Sequence, residues 1–564
     1  MKFLYRFSYI AIIAVILTGC SDELNRAPLD EPSSETFFRS QKDVELAVNG
    51  VYEGTLHWSL VGQPAWESLD DMTDLSFERS VGYIKAVGDG SASASNFAFE
   101  QTWEHFYGAI ARANNLLENM SKAEGNASSD FLTRVEAEAR FLRAYSYSYL
   151  SELYGGVPLL TNVPDVSEAE QGRASKSEVV DQIITDLDFA AQNLPPSWGG
   201  SDNGRATRGA ALALKARVAL YNERWETAVQ AAQEVMNAGN YSLHPDYREM
   251  FQYEGERNSG VILDVPYQAG VNRHRTPRRQ GSRNLGAWSQ HVPSQFIVDS
   301  YQATDGEPID ESSVYDSENP FENRDPRLDA SIVRPGAVLG GYVFETHPDS
   351  TMTWRVTGSD SVRVANEDAT NPFASFTGYL WRKYTDPEDY PQNIDNSELN
   401  FILIRYAEVL LTYAEAKIEM DNIDQSVLDA MNRVRARAYG VSRSNTSQYP
   451  ALTTTSQTEL RREVRYERKV EFANEGFRLF DIRRWGIAEE VMNGPFIGRP
   501  KEGYVTIPSP PEIDDQTGRP RYEANQDLYR TVETRSFNPD RDVLWAIPQD
   551  EIEVNGQISQ NPNW

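Results

Sequence analysis

Cysteine is nearly absent: Cys20 is the only one in 564 residues. No disulfide can staple this chain, so packing and polar contacts must hold it together. Basic residues are also in deficit, with 54 Lys and Arg against 84 Asp and Glu and a formal charge of -30. That balance argues against nucleic acid as a partner, because phosphates call for a basic surface. Beyond the N-terminus no stretch approaches the roughly 18 apolar residues of a membrane-spanning helix. The six histidines, His57, His105, His244, His274, His291 and His347, are scattered and form no His-x-x-x-His pair. No Gly-x-Ser-x-Gly elbow, phosphate-binding Gly-Lys-Ser/Thr loop or EF-hand loop is present, and Gly88-Asp89-Gly90 is too short for a nucleotide fingerprint. These absences give no support to metal, nucleotide or nucleophile chemistry, so neither a cofactor nor an enzymatic activity is expected. A hydrophobic content of 40% and an aromatic content of 11% are enough for a large core.

What is present begins with a leader. Lys2 and Arg6 flank an apolar run from Phe7 to Leu17. The run is about 11 residues long, a signal-peptide length, whereas a bilayer span needs about 20. Leu17-Thr18-Gly19-Cys20 resembles the box of bacterial lipoproteins, in which the cysteine is acylated and becomes the new N-terminus. Residues 1–19 then read as a signal peptide, and a multiply acylated Cys20, bearing palmitate, would anchor a soluble body. The alternative is an ordinary signal with Cys20 as a buried thiol. Residues 20–40 read as a tether, with Pro28 and Pro32 keeping it extended. Its acidic start, Ser21-Asp22-Glu23, resembles the surface-export signal of Bacteroidetes lipoproteins, or is simply a hydrophilic linker.

Apolar residues at spacings of three and four predict a mostly helical chain. Helices are expected over 43–52, around Trp103 to Leu117, over 131–154, from an N-cap at Ser177 to Leu194, and over 207–221 and 225–238. The strongest signal runs from Ile404 to Met420, followed by 427–438, 458–475 and 477–485. The 207–238 and 404–438 segments read as helix pairs near the tetratricopeptide period of about 34 residues. Four such pairs fit, starting near 41 with 101, 131 with 177, 207 with 225, and 404 with 424. No pair alone could bury its apolar face; stacked, they share one core. The helical frame therefore occupies about 41–240 and 400–485. Residues 240–400 read as a loop-rich insertion containing one buried strand, Val261 to Val265, and 486–564 as a loop-rich C-terminal segment.

Several phrases along the chain resemble one family. They include Trp103-(x3)-Tyr107-(x2)-Ile110, Glu138-Ala139-Arg140-Phe141-Leu142-Arg143-Ala144, and Leu153-Tyr154-Gly155-Gly156-Val157-Pro158. Later come Arg324-Asp325-Pro326-Arg327-Leu328, Ile404-Arg405-Tyr406-Ala407-Glu408, and Glu475-Gly476-Phe477-Arg478-Leu479-Phe480-Asp481-Ile482-Arg483-Arg484-Trp485. The end reads Leu544-Trp545-Ala546-Ile547-Pro548, then Asn561-Pro562 and Trp564. This ordered set, over nearly the whole mature chain, is similar to the SusD/RagB family of Bacteroidetes outer-membrane lipoproteins. The resemblance implies a fold of four tetratricopeptide-like helix pairs forming a superhelical frame with an irregular ligand-binding face. It also implies a role at the cell surface, capturing oligosaccharide or polysaccharide and passing it to a SusC-like TonB-dependent transporter. A peptide-uptake protein of the same build is the alternative; a glycan-cleaving enzyme is a distant third.

The charged residues inside the shared phrases, among them Arg140, Arg143, Arg405, Glu408, Glu415, Arg435, Glu471, Glu475, Arg478 and Asp481, are expected to form buried ion pairs between helices. Two carboxylates such as Glu408 and Glu415 can serve as acid and base, but both lie on helices expected to pack inside the frame. Trp103, Trp485, Trp545 and Trp564 are expected as packing anchors. A sugar ring offers an apolar C–H face and a hydroxyl rim, so its site should combine loop aromatics with planar polar groups. Candidates from 57–103 are Trp66, Asp70, Asp71, Arg79 and Asn96; candidates from 267–381 are Trp288, Trp354 and Trp381. Arg273, His274, Arg275, Arg278, Arg279 and Arg283 form a local basic cluster. Arg278 and Arg279 are candidates for an anionic ligand, unless the cluster pairs with nearby acids or with the transporter.

Overall fold

The computed structural model describes residues 37–60, 62–165 and 170–564. The leader, Cys20 and most of the tether lie outside the described residues. Long helices dominate: α1 (Gln41–Leu56), α2 (Phe97–Asn119), α3 (Ser129–Tyr154), α4 (Lys176–Asn193), α5 (Arg208–Tyr221), α6 (Trp225–Ala238), α7 (Tyr406–Glu419), α8 (Gln425–Ala438) and α9 (Gln457–Glu471). Most start at a side-chain cap. The oxygen of Ser40, Asn96, Ser128, Thr207, Asp424 or Ser456 accepts from an amide of the first turn, satisfying one of the open donors there. The cap of α4 is Ser175, not Ser177, because Ser175 and Glu178 close a reciprocal capping box. Gly239 ends α6 in the left-handed conformation, which costs glycine little.

The helices pair as α1 with α2, α3 with α4, α5 with α6, and α7 with α8, and α6 packs onto α7 across the long insertion. One difference from expectation is the start of the fourth pair. Phe401–Arg405 is a strand, antiparallel to Val261–Val265, so Ile404 is extended rather than helical. All five strand residues are buried, and the ladder supplies backbone partners that a helix start at Ile404 would leave unmade.

The main core lies between the helices and is rich in aromatics: Trp58, Phe106, Tyr145, Tyr149 and Tyr154 are buried there. The C-terminal segment closes over the first pairs. Trp545 and Trp564 set their rings 5.0 and 5.4 Å from Phe99, and the Trp545 amide donates to the Leu153 carbonyl at 2.7 Å. A second core, under the irregular face, contains Phe77, Leu285, Val292, Phe296 and Phe496.

Buried ion pairs tie the layers together as the repeated charged phrases lead one to expect. Arg143 pairs with Asp186 at 2.8 Å between α3 and α4, and Arg217 with Glu408 between α5 and α7. Glu471 accepts from Arg405 and Arg437 and pairs with Arg327 at 3.1 Å; Arg405 also holds Glu475. Arg435 binds Glu463 and Glu467, and Arg478 takes Asp74 in a two-point contact at 2.8 Å. Arg484 grips Glu415, and Trp485 donates its indole N–H to the same carboxylate at 2.8 Å. Burial opposes ionisation of Glu415, yet the guanidinium groups of Arg484 and Arg468 hold its carboxyl down to about 2. A carboxylate so held cannot donate a proton at neutral pH, so Glu415 is no general acid; Glu408 is taken up by its two-point contact with Arg217.

Candidate functional site

The loop regions 57–103 and 267–381 meet at one strand pair. Ser76–Glu78 runs antiparallel to His291–Pro293, with Phe77 opposite Val292. Between 57 and 103 the chain is less irregular than the sequence suggests: Ala65–Asp71 and Gly82–Asp89 are helical, because both pack inward against the frame.

Most candidates on these loops lie beneath the surface, not on it. Trp66 is buried, its ring set between Trp58 and Phe401. Trp381 is fully buried and donates its indole N–H to Ser76 Oγ at 3.0 Å. Asp70 and Asp71 are buried as well. Asp71 meets the His291 ring at 2.6 Å, and His291 reaches Asn474 on its other side at 2.8 Å. Burial alone would lower the His291 pKa; the Asp71 carboxylate reverses this and lifts it to about 9. Burial pushes the Asp70 carboxyl up to about 7, against amide donors from Gly476 and Asn474. Arg279, an anionic-ligand candidate, is buried between Glu67 and Glu78. Asn96 caps α2: its side chain accepts from the Ala98 amide and donates to the Tyr83 carbonyl, both at 2.9 Å. Trp381, Asp71 and Arg279 join the two loop regions, Trp66 and Asp70 meet the frame, and Asn96 caps α2. Apolar surroundings and internal partners explain why they turn inward; none presents a face to a sugar at the surface.

Arg79, Trp288 and Arg278 do reach the surface and come together. The Arg79 amide donates to the Gln290 carbonyl at 3.1 Å, and its Nη2 to the Trp288 carbonyl at 3.0 Å. The Trp288 amide donates to the Arg278 carbonyl at 2.7 Å, and the Arg278 guanidinium lies 5.5 Å from the Trp288 ring centre. Arg278 is neutralised by a two-point pair with Asp395.

Two residues that sequence reasoning missed complete this patch. Phe373 and Phe376 stand with the Arg79 guanidinium 5.3 and 5.7 Å from their ring centres. Phe376 rests at 6.1 Å, nearly parallel, on the buried Phe77 of the strand pair. Phe373, Phe376 and Trp288 remain 57%, 38% and 37% exposed; Arg79 joins them, lying over the two phenyl rings and donating to the Trp288 carbonyl. The signal was available: Asn371-Pro372-Phe373-Ala374-Ser375-Phe376 has turn residues and no helical or strand period.

Trp354 is also exposed, 42%, but stands on a separate hairpin, Met352–Thr357 with Asp360–Ala365, where its cross-strand partner Arg363 covers it at 5.1 Å. Among the described residues no group of His, Cys, Asp and Glu could hold a metal ion, and no helix is long and apolar enough to cross a membrane.

Loops inserted into a stacked-helix frame thus present exposed aromatic rings and guanidinium groups, an arrangement suited to binding a ligand. The comparisons agree. The chain belongs to the SusD family: the model described as "SusD family" matches residues 250–564, and one described as "Starch-binding associating with outer membrane" matches residues 29–220. A SusD-like carbohydrate-binding protein of Bacteroides fragilis is 30% identical, with a TM-score of 0.79, covering 93% of this chain and all of that one. A second SusD-like protein of that organism is 27% identical, with a TM-score of 0.74, over 96% of this chain and all of its own. SusD-like protein P25 of Formosa agariphila is 25% identical over 84% of this chain and 88% of its own length. These relatives are named as binding proteins or by family, not as enzymes.

Proposed function

We propose that this chain is a cell-surface glycan-binding lipoprotein that holds an oligosaccharide or polysaccharide on the patch of Trp288, Phe373, Phe376 and Arg79. From there it delivers the glycan to a SusC-like TonB-dependent transporter in the outer membrane. The observation that carries this reading is the patch itself. Three exposed rings offer flat apolar faces to sugar C–H groups, and a guanidinium beside them offers planar donors to hydroxyls. Membership of the SusD family, and a relative named as carbohydrate-binding, support it. The leader and Cys20 support lipid anchoring on residues 20–40 as tether, and the second family description supports outer-membrane association.

Native affinity electrophoresis through gels containing neutral and anionic polysaccharides tests this. Retardation by at least one polysaccharide is expected, and Phe373→Ala with Phe376→Ala should abolish it. Covering two such rings is worth about 1.5–3 kcal/mol each, so affinity should fall at least tenfold. No retardation across a broad panel would refute the glycan reading and favour peptide cargo.

A further inference from the structure

We infer that the patch is built for an anionic glycan, with the carboxylate or sulfate ester of one sugar residue lying between Arg79 and Arg283. This rests on the glycan reading above and adds the chemical class of the sugar.

Many arginines of this protein meet carboxylates, although others, such as Arg173 and Arg324, are held by main-chain carbonyls inside the fold. Within the basic cluster itself, Arg275 and Arg278 pair with Asp395, and Arg279 with Glu67 and Glu78. Arg79 and Arg283 also lack such a pair, and unlike the others they meet at the exposed patch. Neither has a carboxylate oxygen within 4.0 Å among the described residues. Each guanidinium is held by main-chain carbonyls instead: Arg79 Nη2 by Trp288, and Arg283 Nε and Nη2 by Phe373 at 2.9 and 2.6 Å. The carboxylate nearest in sequence contact with Arg283, Asp368, is occupied by the Ser282 hydroxyl, the Arg283 amide and the Asn284 side chain. It fixes the Arg283 backbone and makes no direct pair with the guanidinium.

Both groups converge on Phe373, Arg79 over its ring and Arg283 on its carbonyl. Nη1 of each has no protein partner, and neither Nη1 is sealed from solvent. Two half-buried cations so placed disfavour one another. Burial lowers the pKa of each and Arg79 lowers that of Arg283 further, while Glu78 opposes the shift at Arg79, and Asp368 and Glu367 oppose it at Arg283. In a chain of net charge -30, nearby acids are abundant, yet among the described residues none forms an ion pair with either guanidinium; Glu78 acts on Arg79, and Asp368 and Glu367 on Arg283, only through space. An anion bound between the two forks would relieve that repulsion and accept two-point hydrogen bonds from planar donors. The rings of Phe376 and Trp288 would meanwhile stack on the apolar face of the same sugar or its neighbour. A neutral glycan would gain the stacking but leave the two charges unmatched.

The test is titration calorimetry on paired probes differing only in charge: polygalacturonate against its carboxyl-reduced form, and κ-carrageenan oligosaccharides against their desulfated form. The anionic member of at least one pair should bind tenfold or more tightly than its uncharged counterpart, and the pair that responds identifies carboxylate or sulfate. The preference should weaken with added NaCl. In the Arg79→Gln, Arg283→Gln double variant the ratio should collapse to near one, with the melting temperature confirming a folded protein. Equal affinity within both pairs, or a preference that survives in the double variant, would overturn the inference. Binding only to neutral glycans would overturn it while leaving the glycan reading intact; binding to no glycan at all would sink both.

Discussion

Replacing Glu471 by Gln tests whether the buried ion network, rather than packing alone, holds the helical frame to the loop-rich insertion. Glu471 is buried and meets three guanidinium groups: Arg405 from the strand preceding α7, Arg437 from α8, and Arg327 from the insertion. Gln keeps the shape and one acceptor oxygen but removes a charge that all three share; among the described residues Arg405 retains Glu475, Arg327 retains Asp325 and Glu467, and Arg437 is left without a carboxylate. Breaking a buried pair by removing one partner costs about 3–5 kcal/mol. The unfolding entropy of globular proteins is about 2.1 cal/mol/K per residue, roughly 1 kcal/mol per kelvin for a chain of this length. Glu471→Gln should therefore lower the melting temperature by about 3–5 °C if unfolding is cooperative. The pH dependence gives an independent readout. Burial opposes ionisation of Glu471, but Arg437, Arg405 and Arg327 hold its pKa well below the usual carboxylate range. A depressed carboxylate stabilises the fold above its unfolded pKa, and this contribution is lost as pH falls through the native value. Stability of the parent protein should thus decline more steeply below about pH 4.5 than that of the variant. Differential scanning calorimetry from pH 3 to 7 measures both. A variant melting within 1 °C of the parent at pH 7, with an unchanged acid slope, would refute the idea that this network matters to stability.

Other expectations concern the junction beneath the patch. His291 has a native pKa raised to about 9 by Asp71. Its contribution is fully present below about pH 6.5 and lost as pH rises through 9. The raised Asp70 carboxyl works in the same direction between about pH 4 and 7. Urea denaturation should show falling stability from pH 7 to 9.5, and His291→Gln should flatten that limb; an unchanged slope would remove His291 as its source. Asn96→Ala removes the α2 cap and should cost about 1 kcal/mol of stability. Because its side chain faces inward, glycan retardation should persist in the folded variant; loss of binding with stability intact would return Asn96 to the site.

The frame was largely legible because periodicity and caps are local. Helices longer than a dozen residues stood out, and even their pairing followed from chain lengths near one repeat. Most of the charged phrases form buried pairs, since arginines and glutamates inside apolar stripes have no other place; Arg140 differs, lying part-buried and paired with Glu136 on its own helix. Local reading failed where the partner was remote. Ile404 follows a helical spacing, but the Val261–Val265 strand, distant in sequence, holds it extended.

The candidate site was legible only as two neighbourhoods. Composition and irregular spacing brought 57–103 and 267–381 forward, but not which side chains would face outward. Trp66, Trp381, Asp70, Asp71 and Arg279 have the residue types of a glycan site and were placed in the core by the strand pair Ser76–Glu78 with His291–Pro293. The arginine cluster shows the same limit. By sequence Arg278 and Arg279 look as available as Arg283; remote carboxylates Asp395, Glu67 and Glu78 neutralise the first two and spare the third.

By itself, then, the sequence determined the helices, their stacking period, the absence of stapling cysteines and the shared phrases of the family, all of which depend on neighbours a few residues away. Only the tertiary structure decided which aromatics stay exposed and which guanidinium groups lack an acid. Burial and charge pairing depend on what approaches from elsewhere in the chain, and no spacing along it records that approach.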